Sequence, residues 1–330
     1  MPLISFIIIG RNIQNTIALC IESVFKFVKS NEIAASEILY VDSNSNDNSL
    51  KIAQQYPIRI VLITGTVNAA IARNAGAMYS KGTVLFFVDG DMELIPDFYK
   101  LAFDIRRSRM KYPFVSGYLR HRYYSGNFRY LYSEDDKIPE KPMHMNFTRG
   151  LMIIERALWD RIDGMDERLV RNQDMDFGLR MAEIGIPVKL YSHLMAIHHT
   201  VSYFDKSRFS SFFRTTSLFS PGLLMRKHIF SRAYLNRYLR NVFYVFILFS
   251  SFLLLPYKPE IGLLFLFIYT LIQLARTVKN IRSKEPLFRS FLFKTLYNFY
   301  SMVGFFFYFP KKFSYHSAEL KNTAKRQNHS

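Results

Sequence analysis

Residues 84–94 read V-L-F-F-V-D-G-D-M-E-L. An unbroken apolar run with no polar alternation fits a strand covered on both faces, as the strands of a parallel sheet are. The run stops at Asp89-Gly90-Asp91, so two carboxylates are delivered to a strand end with a permissive glycine between them. Spaced in this way, both can turn toward one divalent, oxygen-seeking cation. The plainer alternative is an Asp-Gly hairpin turn.

The surrounding 200 residues alternate between two patterns. Strand-like runs fall at 5–9, 37–41, 59–63 and 83–88, and helix-like segments at 16–30, 49–55, 67–80 and 96–107. Strands separated by helices of this length predict an α/β, Rossmann-like fold with right-handed crossovers and a mostly parallel sheet. Ligands of such sheets bind beyond the carboxyl ends of the strands. Gly10-Arg11-Asn12, the polar cluster 42–47 and Asp89-Gly90-Asp91 all fall at such ends, which predicts a single site. Residues 108–150 form a longer excursion rich in aromatics (Tyr118, Tyr123, Tyr124, Phe128, Tyr130, Tyr132) that ends near Gly150. A short strand-like run at 151–154 follows, and then a helix-like segment at 172–183. In that segment Asp174 reads most simply as a helix N-cap, and Arg180 pairs with Asp176 four residues earlier.

Charge is informative once it is located. Lys and Arg number 44 against 26 Asp and Glu, a net +18, but from residue 201 onward 20 basic residues face only Asp205, Glu260, Glu285 and Glu319. Basic proteins commonly bind nucleic acid; here the charge brackets apolar runs, which points to anionic membrane lipid instead. Residues 242–255 and 261–275 are uncharged and are separated by Pro256-Tyr257-Lys258-Pro259-Glu260. With their flanks, each approaches the roughly 20 residues that cross a bilayer. Arg226, Lys227, Arg232, Arg237 and Arg240 lie before them, and Arg276, Lys279, Arg282 and Lys284 after, so both ends of the hairpin are expected on the cytoplasmic side. A buried helical hairpin of a soluble protein is the competing reading. Residues 291–309, interrupted by Lys294, are expected to lie along the membrane surface. The division expected is 1–205 for the α/β domain, 206–240 for basic connecting helices, 241–277 for a membrane hairpin and 278–330 for an interfacial helix with a basic tail. Cys20 is the only cysteine, which excludes an intrachain disulfide and a cysteine zinc site. The apolar run 4–9 has no basic residue before it and is too brief for a signal anchor, so the first domain is expected in the cytoplasm.

Taken in order, several segments resemble family 2 glycosyltransferases of the GT-A fold, of the membrane-attached bacterial or archaeal type. Ser5-Phe6-Ile7-Ile8-Ile9-Gly10-Arg11-Asn12 resembles the opening strand and nucleotide loop, and residues 38–49 the second strand with its acidic turn. Ala72-Arg73-Asn74-Ala75-Gly76 resembles the family's Ala-Arg-Asn-x-Gly helix, Gly150-Leu151-Met152 its acceptor-side segment, and Gln173-Asp174-Met175-Asp176-Phe177 with Arg180 its Glu-Asp-x-Asp-Leu-x-x-Arg helix. The resemblance implies nucleotide and donor contacts for Ile9, Gly10, Arg11, Asp42, Arg73, Asp89 and Gly90. It implies Mn2+ or Mg2+ on Asp91 and Asp89, with His198 or His199 as a further ligand, and acceptor contacts at Gly150, Leu151 and Gln173. Asp174 matches the catalytic base. Three departures stand out: Gln173 replaces a glutamate, Ser43 stands where many members have a second aspartate, and Gly10-Arg11 replaces a more frequent Thr-Tyr pair.

The expected reaction is an inverting, metal-dependent transfer from a nucleotide sugar, with UDP favoured, to a hydroxyl of a lipid-linked saccharide or surface polysaccharide. A hydroxyl needs a base, whereas a polyprenyl phosphate is already an anion, so the presence of Asp174 favours the hydroxyl. Phe209, Phe212, Phe213 and Arg214 are expected to help hold the site near the membrane. Transfer to a polyprenyl phosphate is one alternative, and a non-catalytic membrane scaffold with a degenerate transferase domain is another.

Overall fold

In the computed structural model, residues 2–148, 150–201, 215–235, 240–280 and 286–320 are described. The chain divides into two compact units. One comprises residues 1–168, 173–205 and 312–330, and the other 169–172 and 206–311.

The first unit is built on β1 (Ile4–Gly10), β2 (Ser36–Asp42), β3 (Arg59–Gly65) and β4 (Val84–Asp89), all parallel and ordered β3-β2-β1-β4. Helices α1 (Ile17–Ser30), α2 (Ser49–Ala53) and α3 (Ala69–Tyr79) make the crossovers. The apolar strands have no solvent face. Phe6 and Ile8 of β1 pack with Val24 and Phe27 of α1, whereas Ile7 and Ile9 pack with Ile71 and Ala75 of α3. Burying each such side chain contributes roughly 1.5–3 kcal/mol.

Beyond β4 the sheet is mixed. β5 (Met92–Leu94) is followed by α4 (Phe98–Ala102), a small hairpin of β6 (Phe103–Asp104) and β7 (Arg109–Met110), then β8 (Phe114–Tyr124), β9 (Tyr130–Asp135), β10 (Met143–Met145) and β11 (Met152–Glu155). Then come α5 (Arg156–Arg161), α6 (Gln173–Glu183) and the long β12 (Val188–Val201). β11 bridges β4 and β8 antiparallel to both, and β12 runs parallel to β8. The expected mostly parallel sheet therefore describes its central four strands. The helix expected at 96–107 ends at Ala102, because Phe103 turns extended to stack on Tyr99 and Ser108 takes a left-handed φ of 49°. The aromatic excursion is sheet: Tyr123 and Tyr132 stack across β8 and β9 with ring centroids 4.7 Å apart.

One strand falls where a tail was expected. β13 (Tyr315–Glu319) pairs antiparallel with β3, from Tyr315 opposite Gly65 to Glu319 opposite Val61. Arg59 clamps it, donating to Glu319 Oε1 at 2.6 Å and Oε2 at 2.8 Å. Arg59 also donates to Glu37 at 2.6 Å; Glu37 accepts from Ser5 Oγ at 2.6 Å and from the Lys81 N–H as well. Burial pushes the Glu37 carboxyl up, but the Lys81, Ser5 and Arg59 donors outweigh it and hold the group below its ordinary value. Residues 278–330 are therefore not one segment, because this strand belongs to the α/β unit. The basic tail beyond 320 lies outside the described residues, as do Phe209, Phe212, Phe213, Arg214, Arg237, Arg282 and Lys284.

The second unit is helical: α7 (Ser220–His228), a short α8 (Arg232–Tyr234), α9 (Arg240–Leu254), α10 (Pro259–Asn280) and α11 (Leu287–Phe307). Arg226 of α7 closes the C-terminus of α11, donating to the carbonyls of Phe305 and Tyr308 at 2.6 Å each. Between α10 and α11 lies a polar seam, in which Asn298 Nδ2 donates to Tyr269 Oη at 3.0 Å and to Gln273 Oε1 at 3.3 Å. Among the described residues, one helix, Pro259–Lys279, is long and apolar enough to cross a bilayer; the apolar part of α9, Phe243–Leu254, is shorter.

Candidate active site

Strand register brings the three polar clusters together. Gly10 lies opposite Asp42, and Ile9 opposite Asp89, so β1, β2 and β4 end at one level. The loops after β1 and β2 are tied by side chains rather than by sheet bonds. Asn12 N–H donates to Ser45 Oγ at 3.0 Å, Asn46 N–H to Asn12 Oδ1 at 2.9 Å, and Ile13 N–H to Ser49 Oγ at 2.8 Å. Between them and the start of α3 is a cavity of about 290 Å³ lined by Ile9, Gly10, Ser43, Asn68, Asp89 and Asp91, among others, with Arg11 and Gly90 also on its wall. Asn68 caps α3 by accepting from Ile71 N–H at 3.0 Å, so the positive end of the helix dipole faces this cavity.

Two residues expected to touch the donor, Asp42 and Arg73, are buried and bonded within the protein. Asp42 is 2% exposed, and its oxygens accept from Tyr40 Oη and Ser45 N–H at 2.8 Å each. It holds the acidic turn together and does not line the cavity. Arg73, also 2% exposed, donates to Asp89 Oδ1 at 2.5 Å and to the Gly150 carbonyl at 3.2 Å, so it reaches the site through Asp89. That pair explains Gly150, whose φ is +87°. A Cβ there would stand 2.6 Å from Asp89 Oδ2 and 2.7 Å from the Arg73 guanidinium. Leu151, expected on the acceptor side, is instead part of the core; its carbonyl accepts from Ser116 Oγ at 2.6 Å.

Asp91 is fixed by β12, where His199 N–H donates to its carbonyl at 2.8 Å. The two histidines then separate. His199 Nε2 meets Glu93 at 2.5 Å and its Nδ1 meets Tyr124 Oη at 2.8 Å, so both ring nitrogens are engaged away from Asp91. His198 places Nε2 3.3 Å from Asp91 Oδ2. Its Nδ1 lies 3.0 Å from Nδ1 of His121, which β8 sets opposite it in register. His121 Nε2 in turn faces Asp136 Oδ1 at 3.3 Å. Neither His121 nor Asp136 stands out in the sequence, because a pairing between parallel strands 77 residues apart leaves no local pattern.

Asp174 lies in the first turn of α6, beside Gln173, whose Oε1 is buried and accepts no hydrogen bond among the described residues. Asp176 and Arg180 pair at 2.9 Å as the spacing predicts, and Arg180 also ties down the carbonyls of Ile162 and Gly164. Removal from water pushes the Asp89 carboxyl up and Arg73 pulls it down; the charge of Asp91 pushes it up, His198 pulls it down and Asp174 pushes it up. The net direction is up, and the charges of Asp91 and Asp174 both reach Asp89, which Arg73 pairs.

This donor set fits a divalent cation of the Mg2+ or Mn2+ type. Among the described residues no three acidic, histidine or cysteine side chains form a complete cage. Ions of this kind are commonly held by one or two protein ligands, with water and substrate phosphates completing the shell. Asp91 and His198 would supply two.

A parallel β3-β2-β1-β4 core with carboxylates at its carboxyl edge and a mixed extension carrying a histidine is an α/β domain of the kind that binds ligands beyond the carboxyl ends of its strands. Residues 5–160 match the model of the family described as Glycosyl transferase family 2, and the chain carries a family 2 glycosyltransferase domain. Over 101 residues it is 32% identical to the uncharacterized glycosyltransferase YibD of Escherichia coli (strain K12). That alignment covers 29% of this chain and 28% of the relative's length.

Proposed function

We propose that this chain transfers a sugar from a nucleotide-sugar donor, UDP-linked in the favoured version, to a hydroxyl of a lipid-linked saccharide or nascent surface polysaccharide, with inversion, at the cytoplasmic face of a membrane. The observation that supports it most lies beyond the end of β4, where His198 Nε2 stands 3.3 Å from Asp91 Oδ2 and the charges of Asp91, His198 and Asp174 all act on Asp89. The cavity beside them, closed by the N-terminus of α3, suits the nucleotide. Asp91 and His198 Nε2 would hold the cation, and the nitrogen ligand favours manganese over magnesium. The chemistry such a cation would supply there is Lewis-acid neutralisation of the charge on the departing diphosphate. Arg73 keeps Asp89 turned toward the donor. Asp174 takes the proton of the acceptor hydroxyl as its oxygen attacks the anomeric carbon from the face opposite the nucleotide, which inverts that carbon.

The helical unit supports the membrane part of the proposal. Leu263, Leu264, Phe267, Leu271 and Val278 of α10 are exposed, whereas its polar Gln273 and Thr277 are buried. An exposed apolar face of this kind, on a segment of high positive charge, suits anionic lipid.

The test incubates the membrane fraction with a panel of UDP- and GDP-sugars and follows metal-dependent nucleotide release together with the fate of labelled sugar. Release with label in a saccharide, lost in Asp174→Asn, supports the proposal. Label in an organic-extractable monophosphate, formed equally by Asp174→Asn, assigns a polyprenyl-phosphate acceptor instead. No release and no metal-dependent nucleotide binding leaves a non-catalytic scaffold.

A further inference from the structure

We infer that Asp136 and His121 are positioning residues that fix the ring of His198 with its Nε2 lone pair toward Asp91, and so set the affinity of the site for its divalent cation. The inference rests on the metal reading above and concerns residues that reading leaves idle. Asp136 is held by the backbone of Leu119: its N–H donates to the Leu119 carbonyl at 3.0 Å, and Leu119 N–H donates to its Oδ2 at 3.0 Å. This leaves Oδ1 directed at His121 Nε2, 3.3 Å away, with both side chains mostly shielded from water. A carboxylate only accepts, so His121 Nε2 carries the hydrogen, and in the neutral ring its Nδ1 is the acceptor. With both rings neutral, the state in which an imidazole binds a metal, His198 Nδ1, at 3.0 Å, is the donor, and His198 Nε2 presents a lone pair 3.3 Å from Asp91 Oδ2. Two acceptors facing each other at that distance repel unless a positive charge joins them. The chain Asp136–His121–His198 thus has a polarity, and that polarity ends at a ligand pair. Partners behind a ligating histidine usually change metal affinity by roughly 10- to 100-fold.

The polarity can be reversed without changing shape. In Asp136→Asn, the amide oxygen must stay on the Leu119 N–H, so the NH2 group faces His121 Nε2. His121 then becomes a donor at Nδ1, His198 an acceptor at Nδ1, and His198 Nε2 a donor that cannot ligate. In His121→Gln the amide NH2 can donate to Asp136 while its oxygen accepts from His198, which keeps the native polarity. His121→Phe breaks the chain altogether.

The experiment titrates Mn2+ into the full-length protein with saturating UDP and reads free Mn2+ by electron paramagnetic resonance, with thermal unfolding as the fold control. The expected result is a loss of affinity of roughly 10- to 100-fold in Asp136→Asn and His121→Phe, and near-native affinity in His121→Gln. Native Mn2+ affinity in Asp136→Asn, with affinity lost in His198→Ala, overturns the relay and leaves the metal site standing. Equal losses in His121→Gln and His121→Phe also overturn it, since packing alone would then be the cause. If Asp91→Asn and His198→Ala both bind Mn2+ as the wild type does, the underlying metal reading fails.

Discussion

The two units of this chain place their polar side chains in opposite ways. In the α/β unit the interior is apolar on both faces of β1 and β4, and polar groups gather where parallel strands end, at Asp89, Asp91 and the 43–49 loop. In the helical unit Phe267 is 61% exposed, while Gln273 and Asn298 are 1% and 7% exposed and bonded to each other. The first pattern is that of a protein folded in water. The second suits surroundings that offer no hydrogen bonds, where an outward polar group costs more than an outward phenylalanine. Under the proposed function, chemistry and location fall to different units of this molecule.

A double dissociation sharpens the contrast. Asp174→Asn should lower transfer by roughly 10²- to 10⁴-fold, the usual contribution of a general base, while leaving sedimentation with vesicles unchanged. Phe267→Lys should do the reverse. A lysine within a bilayer costs about 2.5–3.5 kcal/mol, so partition onto phosphatidylserine-containing vesicles should fall by roughly 100-fold while Mn2+ and UDP binding persist. If Phe267→Lys leaves vesicle binding intact but unfolds the protein, α10 is an ordinary core helix and the contrast is broken.

Smaller effects probe the α/β unit alone. Gly150→Ala forces a left-handed conformation and crowds Asp89 and Arg73. It should cost about 1–3 kcal/mol in unfolding free energy and weaken donor binding, as measured by denaturant titration and calorimetry. Glu37→Gln should cost about 1–2 kcal/mol, because hydrogen bonds to a charged acceptor are lost. The native Glu37 carboxyl lies below its ordinary value of 4.5, so its contribution is full above about that pH and fades as the pH falls through the depressed value. The gap in thermal midpoint between wild type and Glu37→Gln should therefore be constant near neutrality and close in acid. Cys20 should be the quietest position. Burial, with the charges of Asp91 and Asp89, pushes its thiol up, so maleimide treatment of the folded protein should leave activity unchanged.

The parts that could be read from the sequence were those whose signal is local. Buried apolar strands ending in Gly10, Asp42 and Asp89 declare themselves in a few residues, and the parallel register joins them as expected. β12 is harder to read. Its pairing with β8 shifts register between Leu190 and Leu194 and again before Ala196, so side chains change face within one strand and the alternation that marks a strand is lost. His121 and Asp136 were hidden for a related reason: they gain meaning only when β8 and β12 lie side by side. Arg73 falls beside the site, and its bond to Asp89 is not legible in the sequence, because a motif gives proximity to a site and not the atom that is touched.

β13 has a consequence for the path of the chain. Tyr315 pairs with Gly65, and Glu319 is clamped by Arg59, so the polypeptide that leaves the α/β unit after residue 205 is back in it by residue 312. The helical unit is therefore an excursion with both ends on one domain. Two strands that share hydrogen bonds cannot stand on opposite sides of a bilayer. Any crossings made by residues 206–311 must then be even in number, and a third lone crossing by α11 is excluded by parity alone.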